Sequence, residues 1–150
     1  MKTIDLRHIK LEIDVESTKK FYNNQKGFVC ECPDCTNYVN NISHLQKSLD
    51  GLDKEIGFDL HKDVGQGMDE LMPHDNEDSH LDVIPNYVIG KCFLENKELG
   101  LMWPNTKRVE KKLTDDLSLT IINTSGDIEI SDAENVLTIW LEYKTKMKKK

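Results

Sequence analysis

The sequence predicts an α+β fold, with a largely antiparallel sheet and two or three helices packed on one of its faces, made by a single domain over residues 1–143. Three observations lead there. The chain opens on a strand-like alternation, two helical periodicities follow, and the second half is a series of strand patterns. The connections between those strands are mostly short and carry no clear helix, which favours antiparallel pairing over parallel crossovers.

Residues 8–16, HIKLEIDVE, alternate without interruption: Ile9, Leu11, Ile13 and Val15 on one side, His8, Lys10, Glu12, Asp14 and Glu16 on the other. This is the pattern of a half-buried strand. Ser17 then stands as the N-cap of a short helix over about 18–26, with Phe21 and Tyr22 turned inward and Gly27 as the stop. Farther on, Tyr38, Ile42, Leu45, Leu49 and Leu52 recur at steps of four, three, four and three, which is one helical face. A helix over about 34–49, ended near Gly51, is the expectation.

Residues 53–82 lose this periodicity, and Gly57, Gly65, Gly67 and Pro73 break any long element, so irregular structure with short helical turns is expected there. Strands follow at 86–94 (NYVIGKCFL), 117–123 (LSLTIIN) and 136–143 (VLTIWLEY). The segment 128–130, after Thr124-Ser125-Gly126-Asp127, reads as a short hairpin arm. Trp103-Pro104 falls in a loop, with the Trp expected to pack across the sheet.

The 150 residues are 37% hydrophobic and 31% charged, the composition of a globular domain large enough to bury a core without a metal or disulfide. No apolar run reaches the 18 residues of a membrane span, and residues 1–17 lack the apolar stretch of a secretory signal. The expectation is a cytoplasmic protein whose four cysteines stay reduced.

A formal net charge of −7 conceals an asymmetry. The last seven residues, KTKMKKK, carry five lysines and read as a basic disordered tail over 144–150; the remaining 143 residues hold 15 basic and 27 acidic groups. A body this acidic repels nucleic-acid phosphates, so nucleic acid is not the expected partner. The acidity is concentrated. Between 63 and 90 stand Asp63, Asp69, Glu70, Asp75, Glu77, Asp78 and Asp82, with no Lys or Arg. Such a run is either a solvated loop or a surface for a basic protein partner, as in small inhibitors or immunity proteins that cover a basic target.

Chemistry concentrates at residues 28–38, FVCECPDCTNY. Cys30 and Cys32 are separated by one residue, so in an extended segment both point the same way. Cys35 falls in the first turn of the next helix, where the helix N-terminus favours a thiolate. Three sulfurs at one corner suit a structural zinc ion, which takes four tetrahedral ligands. Cys92, on a strand, and His44, farther along the helix, are the candidates for the fourth. The alternatives are thiol–disulfide exchange, with Cys32 as nucleophile and Cys35 resolving, a redox or metal sensor that works by losing the zinc, and reduced cysteines packed as small apolar residues.

Two resemblances bear on this stretch. Cys32-Pro33-Asp34-Cys35, after a strand and a helix and at the start of another helix, resembles the C-P-x-C pair of the thioredoxin and glutaredoxin families, and Ile84-Pro85 before a strand is similar to the proline segment that those folds set against it. The likeness covers about half of the chain and implies redox chemistry. The wider pattern C-x-C-x-x-C-x-N-Y over 30–38, with 13–22 before it and 56–62 and 87–90 after it, looks like a family of small uncharacterised bacterial proteins. That resemblance implies a domain that carries the cysteine cluster as a standing feature, and Cys92 is outside its pattern.

The segment 72–80, MPHDNEDSH, adds His74 and His80 among acids, but a histidine spacing of six matches no zinc-protease helix, and an exposed polar loop is the expectation. No nucleophile elbow, phosphate-binding glycine loop or dinucleotide fingerprint occurs.

Overall fold

The computed structural model describes residues 1–27, 33–62, 74–75, 79–102, 108–130 and 132–146, with the backbone alone at 33–35, 37, 74–75, 79–83 and 145–146. The elements run β1 (Lys2–Leu6), β2 (Ile9–Ile13), α1 (Val15–Asn23), α2 (Pro33–Leu49), α3 (Leu52–Ile56), β3 (His74–Asp75), β4 (Ser79–Leu94), β5 (Lys97–Glu98), β6 (Val109–Lys112), β7 (Leu117–Asn123) and β8 (Val136–Lys146). The sheet order is β1-β2-β4-β8-β7-β6, with β3 and β5 also paired to β4. Every pairing between these strands is antiparallel, which is the α+β architecture that the sequence predicts.

One face of the sheet and the helices make the core. Leu11 and Ile13 of β2, Ile84 and Val88 of β4, Leu119 of β7 and Ile139 of β8 bury against Ile42, Leu45 and Leu49 of α2 and Ile56 of α3. The expected helical face is the buried one. A smaller cluster forms around Tyr87, Ile130 and Val136, with Phe21 packed against it.

Several boundaries differ from the expectation, each for a physical reason. The first strand stops at Ile13 because Asp14, not Ser17, caps α1: its carboxylate accepts from the Ser17 backbone N–H at 3.1 Å and the Ser17 hydroxyl at 2.9 Å. Val15 is therefore helical. β1 was not expected, since only Ile4 of KTIDL is buried and its alternation, Ile4 and Leu6 about Asp5, is too short to mark a strand. β6 escaped for the same reason, with Val109 its one buried residue. The segment 128–130 forms an isolated parallel bridge from Ser125 to Ile128 in place of a hairpin arm.

The largest difference is β4, which begins at Ser79 rather than residue 86. Proline is normally confined to strand edges because it lacks an N–H. In β4 the odd-numbered residues turn their backbone groups to the α1 side: Ile89 N–H donates to Thr18 Oγ1 at 3.1 Å, Ile89 carbonyl accepts from Asp14 N–H at 2.9 Å, and Tyr87 carbonyl accepts from the Tyr22 hydroxyl at 2.9 Å. Pro85 shares that parity, so its missing N–H turns away from β8 and the ladder to β8 is kept, with Pro85 opposite Trp140. Asp14, Thr18 and Tyr22 are spaced four apart on α1, and together they cover an edge of β4 that β2 leaves open above Gly90.

Gly90 is where β2 and β4 approach most closely. A Cβ there would collide with the Glu12 carbonyl and stand 2.9 Å from Ile13 Cδ1. At the other end β8 continues to Lys146, so residues 144–146, expected to belong to the disordered tail, are strand and pair with 79–81.

Candidate functional site

The cysteine stretch lies between α1 and α2. Cys30, Cys32 and Glu31 fall outside the described residues; Cys35 is the third residue of α2, whose first is Pro33. Proline suits a first helical position, where its missing N–H has no intrahelical partner to lose. Cys32 thus directly precedes a helix of 17 residues, and Cys35 stands in its first turn, as expected.

The two candidates for a fourth zinc ligand are in opposite surroundings. Cys92 is 1% exposed on β4, opposite Leu11, among the apolar residues of the core. Burial pushes its thiol up to about 11. His44 is exposed, on the same helix as Cys35 and nine residues beyond it. An unbroken α-helix sets them about 13.5 Å apart along its axis. A cysteine and a histidine on one zinc ion span at most about 11 Å between Cα atoms, given metal bonds of about 2 Å. The two positions on α2 thus stand farther apart along the axis than that span. Among the described residues, no three His, Cys, Asp or Glu side chains converge as a metal group.

Both flanks of the cysteine stretch are tied to one short segment. Gly27, three residues before Cys30, forms an antiparallel bridge with Lys62. Tyr38, three residues after Cys35 and 2% exposed, donates its hydroxyl to the Leu60 carbonyl at 2.7 Å. Leu60 is itself buried. The turn is fixed from within, since Asp59 Oδ1 accepts from the His61 N–H at 2.9 Å and the Asp59 carbonyl accepts from Lys62 N–H. Residues 60–62 were read as part of an irregular region and of the wider pattern that includes 56–62, with no contact to the cysteine stretch assigned to them.

The acidic region is partly described. Asp69, Glu70, Glu77 and Asp78 fall outside the described residues. Asp75 is on β3, opposite His80, and Asp82 is on β4, opposite Tyr143. These two positions share one end of the sheet. β8 reaches the same end: Lys144 is opposite Leu81 and Lys146 opposite Ser79. The basic end of the chain thus runs alongside the acidic hairpin, an adjacency that sequence order, with sixty residues between them, conceals.

No helix among the described residues is long and apolar enough to cross a membrane. No family model matches the chain, and no curated protein or solved structure matches it.

Proposed function

We propose that this is a cytoplasmic protein-binding domain, without catalytic activity of its own, that docks a basic protein partner through the acidic surface around residues 63–82. A zinc ion held by Cys30, Cys32 and Cys35 braces the corner between α1 and α2. One observation carries the docking reading: seven carboxylates and no lysine or arginine between residues 63 and 90. Two of them, Asp75 and Asp82, belong to the same end of the sheet, which supports a common surface. Complementary charge of this kind speeds encounter and rejects acidic competitors, and it weakens as salt screens it beyond about 10 Å at 0.1 M.

The test is capture of partners from a cell extract at about 50 mM and about 500 mM salt. Basic proteins retained at the lower salt and released at the higher are the expected result. The same set retained at both removes electrostatic docking as the mechanism.

A second reading, thiol–disulfide exchange by Cys32 and Cys35, draws support from the start of α2 at Pro33, with Cys35 in the first turn of a long helix. Insulin reduction by the metal-free protein would support it. A zinc-loaded protein without that activity would exclude it.

A further inference from the structure

We propose that the cleft between α1, α2 and α3 binds a free α-amino acid with an apolar side chain, its ammonium on Asp53 and its carboxylate on Lys19 and Lys54. None of these residues belongs to the proposed docking surface.

The placement begins with α3. Leu52 and Ile56, four residues apart, are buried in the core and fix the rotation of this short helix. Asp53 and Gly57 are likewise four apart, so they share the adjoining face. That face abuts α1: a Cβ on Gly57 would stand 3.1 Å from the Val15 carbonyl oxygen and 3.2 Å from Lys19 Cγ. Asp53 is drawn into the same seam and is 4% exposed. Its side chain forms no hydrogen bond or ion pair among the described residues. A carboxylate taken out of water without a partner is costly, and a cationic group supplied by a ligand offsets that cost.

Asp53 lines a cleft of about 420 Å³. That is in the lower part of the range of about 300–1,000 Å³ that small-molecule sites occupy. Asp59 lines it too, with Oδ1 accepting from the His61 N–H, and the exposed Lys19 and Lys54 complete its charges. Among the described residues none of these four forms an ion pair, so two charges of each sign surround one space. A bare cation there meets two lysines and a bare anion meets two carboxylates, whereas a zwitterion answers both. The wall also includes two buried aromatic residues, Tyr22 and Phe58. The Tyr22 hydroxyl is already bonded to the Tyr87 carbonyl, so its ring is what it offers. An apolar side chain against these two rings completes the ligand.

The experiment uses the full chain and takes leucine, methionine and phenylalanine as probes, each at about 10 mM. The expected result is a rise in melting temperature of at least about 2 °C with one or more of them. Titration calorimetry then compares the best of the three with its methyl ester, which lacks the carboxylate, and its N-acetyl form, which lacks the ammonium. Each should bind at least about ten-fold more weakly than the free amino acid. Asp53→Asn should lose at least about ten-fold in affinity, and Glu55→Gln, the same change in charge at an exposed position of α3, should bind as the wild type does. Lys54 is exposed, so Lys54→Gln should fold normally and lose about two- to five-fold. No shift with any of the three amino acids overturns the site. A methyl ester that binds as tightly as the free amino acid overturns the zwitterion, and unchanged affinity in both Asp53→Asn and Lys54→Gln overturns the placement in this cleft.

Discussion

Tyr22 shows how one side chain joins helix to sheet. It is 1% exposed, its hydroxyl donates to the Tyr87 carbonyl, and its ring meets Phe21 edge to face at 5.1 Å. Burial raises its phenol well above the ordinary tyrosine range, so it stays a donor throughout the physiological pH range. Tyr22→Phe removes the donor and leaves a buried carbonyl unpaired, and the expected loss is about 1–3 kcal/mol by urea unfolding. Asp14 acts at the other end of the same helix face. Hydrogen bonds from the Ser17 backbone N–H and then its hydroxyl lower the Asp14 carboxyl below its usual value. Its folded value lies under its unfolded one, so this stabilisation is complete above about pH 4 and is lost as the pH falls through the folded value. Asp14→Ala should therefore cost about 1 kcal/mol at pH 7 and progressively less below pH 4, as read from unfolding curves across that range. Asn86 is a different case: 2% exposed on the core face between Ile84 and Val88, it has an amide nitrogen with no partner among the described residues. Asn86→Leu removes that unpaired donor, and a gain in melting temperature of roughly 2–4 °C is expected.

At the scale of elements, the sequence was most legible where burial is periodic. α2 buries Tyr38, Ile42, Leu45 and Leu49, and β7 buries Leu117, Leu119 and Ile121, so each announces itself by the spacing of its apolar residues. β1 and β6 bury one residue each and are held by ladder hydrogen bonds, which any sequence can make. Pro85 concealed the first half of β4, because its tolerance depends on a register that turns its missing N–H away from β8. The same limit applies to the candidate site. The cysteine spacing and the helix after it are visible in the sequence, whereas the Gly27–Lys62 bridge and the Tyr38–Leu60 hydrogen bond, which tie residues on either side of the stretch to 60–62, are long-range. The run of β8 beside the acidic hairpin is also a product of register. Lys144 stands opposite Leu81 and Lys146 opposite Ser79. These charges oppose a basic partner at that end of the sheet. Lys144→Ala should therefore tighten binding of a basic partner at low salt, with the difference vanishing at high salt, as measured by titration calorimetry. An unchanged affinity at low salt would show that Lys144 does not act on the docking surface.

For the molecule as a whole, the fold separates two tasks. One sheet face and the helices make the core, which needs no ion to exist, and the cysteine stretch joins α1 to α2 in sequence. The acidic hairpin is an extension of the central strand β4, paired along its length to β8, so a surface there rests on the longest ladder in the sheet. The account stands on that surface being the docking site, and a matched pair of charge reversals tests it most directly. Asp75→Lys with Asp82→Lys changes the hairpin end; Glu95→Lys with Glu129→Lys makes the same change in net charge at exposed positions elsewhere. Affinity for the captured basic partner should fall at least about ten-fold in the first double variant and by less than about two-fold in the second. Equal losses in the two would mean that only net charge is sensed, and would contradict a docking surface around residues 63–82.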